Sequence, residues 1–242
     1  YDYFRDQLSV LSSGKAIGGW DIHNKMYTLS LQYSTAAGET TKTLAFDEQV
    51  KGWPSFFDYK PDNLFWLNNG FFSTTGQYIY KHYSNNVNPG NFYGYDHKSS
   101  ITFIFNPKVS ASKVFKTINY EGDSGWAVSE IVTSENDTGN YIYSYVEGAY
   151  DSGNPPTTGV AAFAPTAVQP INFAGFMKQE GKYKADIKNN SSVSYGEVRF
   201  GIGLTGVKGY YTTVTIETDS VTNPSTVKEL FAVSSEYVES YY

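Results

Sequence analysis

The sequence of 242 residues contains no cysteine. Without thiols it can form neither a disulfide framework nor a thiolate metal site. It has only 3 histidines and 2 methionines. No run of about 18 apolar residues occurs, which is the length that a membrane-spanning helix needs. The net charge of −6 is spread along the chain. A dedicated nucleic-acid surface is therefore not expected, because it would need a basic patch.

Aromatic residues and glycine are abundant instead, with 22 Tyr, 16 Phe and 22 Gly. Aromatic and β-branched side chains fit the half-buried surface of a pleated sheet, so this composition favours an all-β fold. The length suits one large β domain or two small ones.

Residues 43–120 are built of short apolar and aromatic runs separated by polar turns. The runs alternate with a period of two and are closed by Asn68-Asn69-Gly70 and by Thr74-Thr75-Gly76. This pattern is typical of consecutive antiparallel hairpins. We expect about four strands in a meander here, the size of one propeller blade.

The pattern of residues changes near Glu121, and we predict a domain boundary there. Residues 1–120 would form the propeller-like meander, after a short helix within residues 1–13. Residues 121–242 would form a β-sandwich or a barrel. The strands expected in that second half cover residues 126–134, 140–147, 196–204, 210–218 and 228–237, together with a hairpin over residues 171–187 that turns at 179–181.

Two motifs resemble catalytic or cofactor sites. Gly122-Asp-Ser-Gly125 matches the nucleophile motif of trypsin-like proteases, but none of the three histidines lies in the sequence context which that family carries. Gly201-Ile-Gly-Leu-Thr-Gly206 matches the dinucleotide-binding pattern, yet a β-branched strand follows it where a helix is needed. We interpret the first as a polar turn and the second as a bulged or tightly turning hairpin.

The remaining polar candidates are weaker still. Asp96 and His97 could contribute to a metal site, but a surface pair is the simpler interpretation. Four acids, Asp47, Glu48, Asp58 and Asp62, lie near two tryptophans, Trp53 and Trp66, and such a combination would suit a sugar site. Packing explains the same tryptophans. We predict no catalytic, cofactor-binding or metal residue and no enzymatic activity.

The excess of aromatic residues is more informative. Six fall between positions 78 and 95, and tyrosine is enriched at protein interfaces. A core cannot hold all of them. The predicted interface residues are Tyr78, Tyr80, Tyr83, Phe92, Tyr93, Tyr95, Tyr237 and Tyr241.

Several motifs in this order resemble a stretch of tail-end muzzle or nozzle-type proteins of crAss-like and related short-tailed bacteriophages. They are Gly-Trp-Pro-Ser-Phe-Phe (52–57), Leu-Asn-Asn-Gly-Phe-Phe (67–72), Ile-Tyr-Lys-His (79–82), Asn-Phe-Tyr-Gly (91–94), Ser-Ile-Thr-Phe-Ile-Phe-Asn (100–106) and Val-Phe-Lys-Thr-Ile-Asn-Tyr-Glu-Gly (114–122). Ile-Gly-Gly-Trp-Asp (17–21), Tyr-Thr-Leu-Ser (27–30) and Lys-Gln-Glu-Gly-Lys-Tyr (178–183) fit the same pattern.

This resemblance implies a structural module of a phage tail, located in the virion and forming the C-terminal part of a longer protein. Its partners would be copies of itself and neighbouring tail proteins, with DNA passing in a channel without specific binding. The alternative is a module that binds or depolymerises a host surface polysaccharide. A platform of exposed tryptophan or tyrosine with two carboxylates about 5–10 Å apart would favour that alternative.

Overall fold

A computed structural model describes residues 2–11, 14–145, 174–190, 206–220 and 222–240. The chain divides into two compact units, unit 1 (Tyr1–His97) and unit 2 (Lys98–Tyr242). Nearly all regular structure is β-strand, and the expected short helix near the start is present as α1 (Asp2–Ser9). The all-β fold class predicted from the sequence is therefore confirmed.

Unit 1 is a series of antiparallel hairpins in sequence order. A four-stranded sheet has the order β1-β2-β3-β4, a three-stranded sheet has the order β5-β6-β7, and β8 pairs with β9. The strands are β1 (Lys15–Asp21), β2 (Met26–Thr35), β3 (Gly38–Asp47), β4 (Gly52–Phe57), β5 (Asn63–Leu67), β6 (Gly70–Thr75), β7 (Tyr78–Lys81), β8 (Asn91–Phe92) and β9 (Tyr95–Asp96). The antiparallel meander is confirmed, but residues 43–97 alone contain all or part of seven strands, β3 to β9, where about four were expected in residues 43–120. The likeness to a propeller blade stays a prediction.

Local turn chemistry sets the tightest of these hairpins. Leu67 pairs with Gly70, so that Asn68 and Asn69 form a two-residue loop, and both have positive φ angles of 46° and 62°. Two consecutive positive φ angles define a type I′ turn, whose twist matches that of the flanking strands. Asparagine tolerates this conformation better than most residues, which explains why the sequence signal was reliable here.

Close approach between β1 and β5 depends on a glycine. A Cβ atom added at Gly19 would lie 2.5 Å from Cβ of Leu64. Leu64 belongs to the small apolar core of unit 1 with Tyr59 and Phe71. Any side chain at position 19 would therefore push β1 away from this core.

Unit 2 contains two five-stranded sheets. One has the order β10-β18-β12-β13-β14; in the other, β15-β16-β11-β17 is extended by β19, which pairs with β11. The strands are β10 (Ser100–Phe105), β11 (Lys113–Gly122), β12 (Trp126–Thr133), β13 (Ile142–Tyr143), β14 (Ala174–Gly175), β15 (Met177–Gln179), β16 (Lys182–Asp186), β17 (Val207–Gly209), β18 (Thr212–Thr218) and β19 (Leu230–Glu239).

The two sheets of unit 2 face each other across one apolar core. β11 contributes Phe115, Ile118 and Tyr120, while the other sheet contributes Val128 of β12 and Val214 of β18, among others. The pairing of β11 with β19 shifts register between Phe115 and Thr117. Such a bulge changes which residues face inward, so Phe115 and Ile118 both reach the core. The arrangement is the predicted sandwich, and the described strands form no closed barrel.

The boundary between the units lies at residues 97 and 98. The boundary expected from the sequence, at residues 120 and 121, falls near the end of β11 within unit 2. β10 and β11 belong to unit 2 because they pair with strands far along the chain, β18 and β19. The stretch 43–120 is thus shared between the two units.

Replacement of Ile118 by alanine should destabilise unit 2 by about 2–5 kcal/mol. The side chain is fully buried, so its removal leaves a cavity in the core. Ile104→Ala is the matched control on β10, since its side chain is 68% exposed. The control should change the free energy of unfolding by less than about 0.5 kcal/mol. Urea unfolding of both variants measures the difference, and equal losses would contradict the sandwich core.

Candidate protein–protein interface

Three of the predicted interface tyrosines present their rings to solvent. Tyr95 is 74% exposed, Tyr78 is 59% exposed and Tyr83 is 43% exposed. Tyr95 lies in β9 at the end of the loop formed by residues 84–98, and Tyr78 begins β7. Large apolar rings at this level of exposure are available for contact with another protein.

Three others pack within unit 1. The rings of Phe92 and Tyr93 lie 4.8 and 6.0 Å from that of Tyr59, and Tyr80 lies 4.7 Å from Tyr93. These contacts join the loop 84–98 to the small core of unit 1. Phe92, Tyr80 and Tyr93 are half-buried, so only part of each ring remains for a partner.

The last two lie in unit 2 near the end of the chain. Tyr237, in β19, is half-buried, packs against the sandwich core and lies 6.2 Å from Phe115. Tyr241 lies outside the described residues. All eight assignments as interface residues stay predictions.

Tyr83 also anchors a buried carboxylate. Its hydroxyl donates to Oδ2 of Asp21, which is only 3% exposed, and accepts from Nδ2 of Asn24 at 2.8 Å. Oδ1 of Asp21 accepts the backbone N–H of His23 at 3.0 Å. The His23 ring stacks on Tyr83 at 4.2 Å. Burial, followed by the bond to Asp21, raises the pKa of Tyr83. The cluster ties the turn after β1 to the end of β7.

His82 precedes Tyr83 in the chain, and its ring packs among other aromatic rings. Its Nε2 lies 2.7 Å from Oγ of Ser73, which accepts the Tyr93 hydroxyl at 2.9 Å. The rings of Phe71 and Tyr59 lie 4.9 and 5.1 Å away. Burial lowers the pKa of His82 to about 4. The imidazole is thus held neutral as a structural group.

The outer face of the three-stranded sheet carries several apolar side chains, which the sequence analysis missed. Phe65 pairs with Phe72, and their rings stack at 5.6 Å. Ile79, opposite Thr74, is 69% exposed on the same face, together with the exposed Leu67. The consecutive apolar residues at 64–67 and 71–72 were the available signal, because neighbouring residues of a strand point to opposite faces. A solvated sheet face is normally polar, so this one is suited to a partner.

Unit 2 has a second apolar surface, beside the edge strands β10 and β19. A groove of about 320 Å³ is lined by Ile101, Phe103, Trp126, Lys228 and residues 230–233. Phe231 is the most exposed apolar side chain of this groove. Lys228 is held by Asp219, because its Nζ donates to the backbone carbonyl of that residue at 2.8 Å. The lining is therefore almost entirely apolar in character.

The described parts of the motifs that resemble catalytic sites lie in turns and strand connections. Gly122–Gly125 connects β11 to β12, and Asp123 there bonds the backbone of Glu229 in both directions, at 2.9 and 2.8 Å. Ser124 lies in unit 2, whereas the three histidines lie in unit 1. Of the glycine motif, residues 201–205 lie outside the described residues, and Gly206 precedes the strand β17.

The acids near the tryptophans are also engaged in the fold. Asp62 accepts the backbone N–H of Gly76 at 2.7 Å and the ammonium of Lys15 at 3.2 Å, and these contacts lower its pKa. Asp47 accepts the N–H of Gln49. Trp53 packs 5.2 Å from Phe46.

Asp96 and His97 turn to different partners. Asp96 accepts from Asn91 at 2.6 Å, whereas Nδ1 of His97 lies 3.5 Å from Asp58. Across the described ranges, no group of three or more His, Cys, Asp or Glu residues is placed to hold a metal ion. Likewise, the part of the chain that is described contains no helix long and apolar enough to cross a membrane.

Comparison with known families gives a match over part of the chain. Residues 87–190 match the family described as the Crassvirus muzzle protein C-terminal domain. This match covers less than half of the chain and indicates a component of the virion tail. More particularly, the match supports a crassvirus muzzle-type tail protein, which the sequence motifs predicted. A search of the curated proteins gave no match.

Removal of the Tyr83 hydroxyl should destabilise unit 1. Tyr83→Phe leaves the buried Asp21 carboxylate without one of its donors, at a cost of about 1.5–3 kcal/mol. Tyr78→Phe is the matched control, because its exposed hydroxyl contacts only the neighbouring Gln77 among the described residues. Thermal and urea unfolding should show a loss in the first variant alone. An unchanged free energy of unfolding in Tyr83→Phe would rule out the anchoring role.

The stability of unit 1 should fall in mild acid because of His82. Its pKa is about 4 when folded and about 6.5 when unfolded. The unfolded state therefore binds the proton more readily between these values. The contribution of His82 is complete above pH 6.5 and is lost as the pH falls to 4, by up to about 3 kcal/mol. His82→Gln should flatten this part of the stability profile, and an identical profile in both proteins would contradict the prediction.

Proposed function

We propose that the chain is a non-enzymatic assembly module of the tail end, and that it acts through protein–protein contacts made by exposed aromatic and apolar surfaces. Its partners are copies of itself and neighbouring tail proteins. Its mechanism is mechanical: buried interfaces hold the tail end together while DNA leaves through it.

The observation that carries this proposal is the amount of apolar surface outside the two cores. Tyr78 and Tyr95 are exposed, and so are Leu67 and Ile79 on the outer face of the sheet β5-β6-β7. Large apolar side chains exposed on a soluble protein are available for contact with a partner. Burial of tyrosine at an interface contributes strongly to binding, because the ring is large and loses little entropy.

The polar groups of unit 1 favour assembly over chemistry. Asp21, Asp47 and Asp62 all accept backbone N–H groups, which stabilise turns. His82 is neutral and surrounded by aromatic rings. These groups serve folding, and none is paired as a nucleophile with a base.

A glycan-binding role has weaker support. Trp66 is exposed, which suits stacking on a sugar ring. Trp53, by contrast, packs against Phe46 and Phe4. The carboxylates of the nearby acids Asp47 and Asp62 accept backbone N–H groups of turns. The surroundings of the acids and of Trp53 thus favour packing.

The charge of the chain suits a protein beside a DNA exit path. The net charge is −6, and an acidic wall repels the phosphate backbone, so DNA would slide past without specific binding.

Loss of the exposed tyrosines should impair assembly without unfolding the protein. The double variant Tyr78→Ser, Tyr95→Ser should lower incorporation into virions by at least about tenfold, the effect of losing one strong interface contact. Its melting temperature should stay unchanged. Asn85→Ala, an exposed polar change in the loop 84–98, is the control. Quantitative mass spectrometry of purified virions measures incorporation, and full incorporation of the double variant would refute the role of these two rings.

A further inference from the structure

We propose that β19 pairs antiparallel, edge to edge, with β19 of a second copy, with Ser235 on the two-fold axis. This inference rests on the proposed function, because it specifies one of the contacts between copies. It extends the sheet that contains β11 across the two molecules.

One edge of β19 has no paired strand among the described residues. β11 bonds to β19 along its full length, and within the described part of the chain no strand pairs with the opposite edge between Ala232 and Val238. The N–H of Ser240 donates to the carbonyl of Ser112 on the β11 side. Because hydrogen bonding alternates along an antiparallel strand, the backbone groups of Val233, Ser235 and Tyr237 point away from β11. They form a row of donors and acceptors at the edge.

The strand is long and lacks two of the residue types that normally protect such an edge. Monomeric proteins shorten their edge strands or place lysine and proline on them. β19 is 10 residues long, with the sequence LFAVSSEYVE, and contains neither residue. An extended strand is the partner that satisfies a row of backbone donors and acceptors.

The sequence of β19 is complementary to itself in one register. With Ser235 opposite Ser235 of the partner, Val233 lies opposite Tyr237 and Ala232 opposite Val238. Ser234 then lies opposite Glu236, so no two carboxylates face each other. Pairs of a β-branched residue with an aromatic residue stabilise adjacent strands by about 0.2–1 kcal/mol each.

Neighbouring registers are less favourable. An axis at Glu236 would place two carboxylates directly opposite each other. An axis at Ser234 would oppose Glu229 and Glu239 and would pair Ala232 with Glu236. Like charges opposite each other destabilise a strand pair. The charge pattern thus selects Ser235 as the centre.

The apolar groove beside β19 fits this arrangement. Val233 lines the groove together with Phe103 and Trp126. Val233 and Tyr237 point towards the sandwich core, because both pack against it. Residues directly opposite each other in a sheet share a face. The partner's Tyr237 therefore lies beside Val233, at the mouth of the groove, and covers apolar surface that is open in one copy.

Cysteine cross-linking of the full chain tests the register, because the sequence has no thiol of its own. Ala232→Cys and Val238→Cys should form a disulfide only when the two variants are mixed. Both positions are exposed, and a non-hydrogen-bonded pair brings its Cα atoms to about 4.5 Å, within the range that a disulfide spans. Ser234→Cys alone should not cross-link. Efficient cross-linking of Ser234→Cys with itself would overturn the register.

Association of the full chain tests the contact itself. Sedimentation over a concentration series should show a reversible dimer. Ser234→Glu places a second carboxylate opposite Glu236 and should weaken the dimer about tenfold, while Ser234→Lys should leave it equal or tighter. A monomer at every concentration, or equal effects of the two variants, would overturn the pairing. A monomer whose Tyr78 and Tyr95 variants still fail to enter virions would leave the proposed function intact.

Discussion

Strand β11 is the element on which unit 2 depends. It is hydrogen-bonded along both edges, to β16 and β17 on one side and to β19 on the other. Phe115 and Ile118, both fully buried, extend from it into the core. Lys113 begins the strand and is also fully buried. Its ammonium is satisfied there, because it donates to the carbonyls of Pro107 and Lys108 at 2.5 and 2.9 Å. Both the core and the open edge of β19 follow from the position of this strand.

The local part of the fold could be predicted from the sequence, because turns and alternation are local properties. Asn68 and Asn69 adopt positive φ angles, and the hairpin formed where the residue types required it. The assignment of strands to sheets could not be predicted in the same way. β10 pairs with Thr212–Thr218 in β18, and no local signal specifies a partner so distant in sequence. The sequence analysis therefore assigned β10 and β11 to the same meander as the strands that precede them.

The candidate surfaces were predictable to a similar extent. Composition indicated that the tyrosines between positions 78 and 95 exceed what a core can hold, and Tyr78 and Tyr95 are indeed exposed. Composition could not separate these from Phe92 and Tyr93, which pack around Tyr59. That distinction depends on how the loop 84–98 folds back. The apolar side chains on the outer face of β5 and β6 were missed because the sequence analysis assigned these runs to hairpin strands without assigning their faces.

The two surfaces have different physical characters. The outer face of the sheet β5-β6-β7 offers side chains alone, whereas the edge of β19 offers backbone hydrogen bonds and an adjacent groove. Backbone pairing gives affinity with little dependence on sequence, and side chains in pockets give specificity. An assembly protein gains from both kinds of contact. The muzzle-type family is consistent with such a role in the tail end of the virion.

The most direct test is an electron cryo-microscopy reconstruction of the intact tail at a resolution that shows side chains. The account predicts that Tyr78, Tyr95 and the outer face of the sheet β5-β6-β7 are buried against neighbouring tail subunits. A tail in which those side chains face solvent in every copy would contradict the claim that the chain acts through these surfaces.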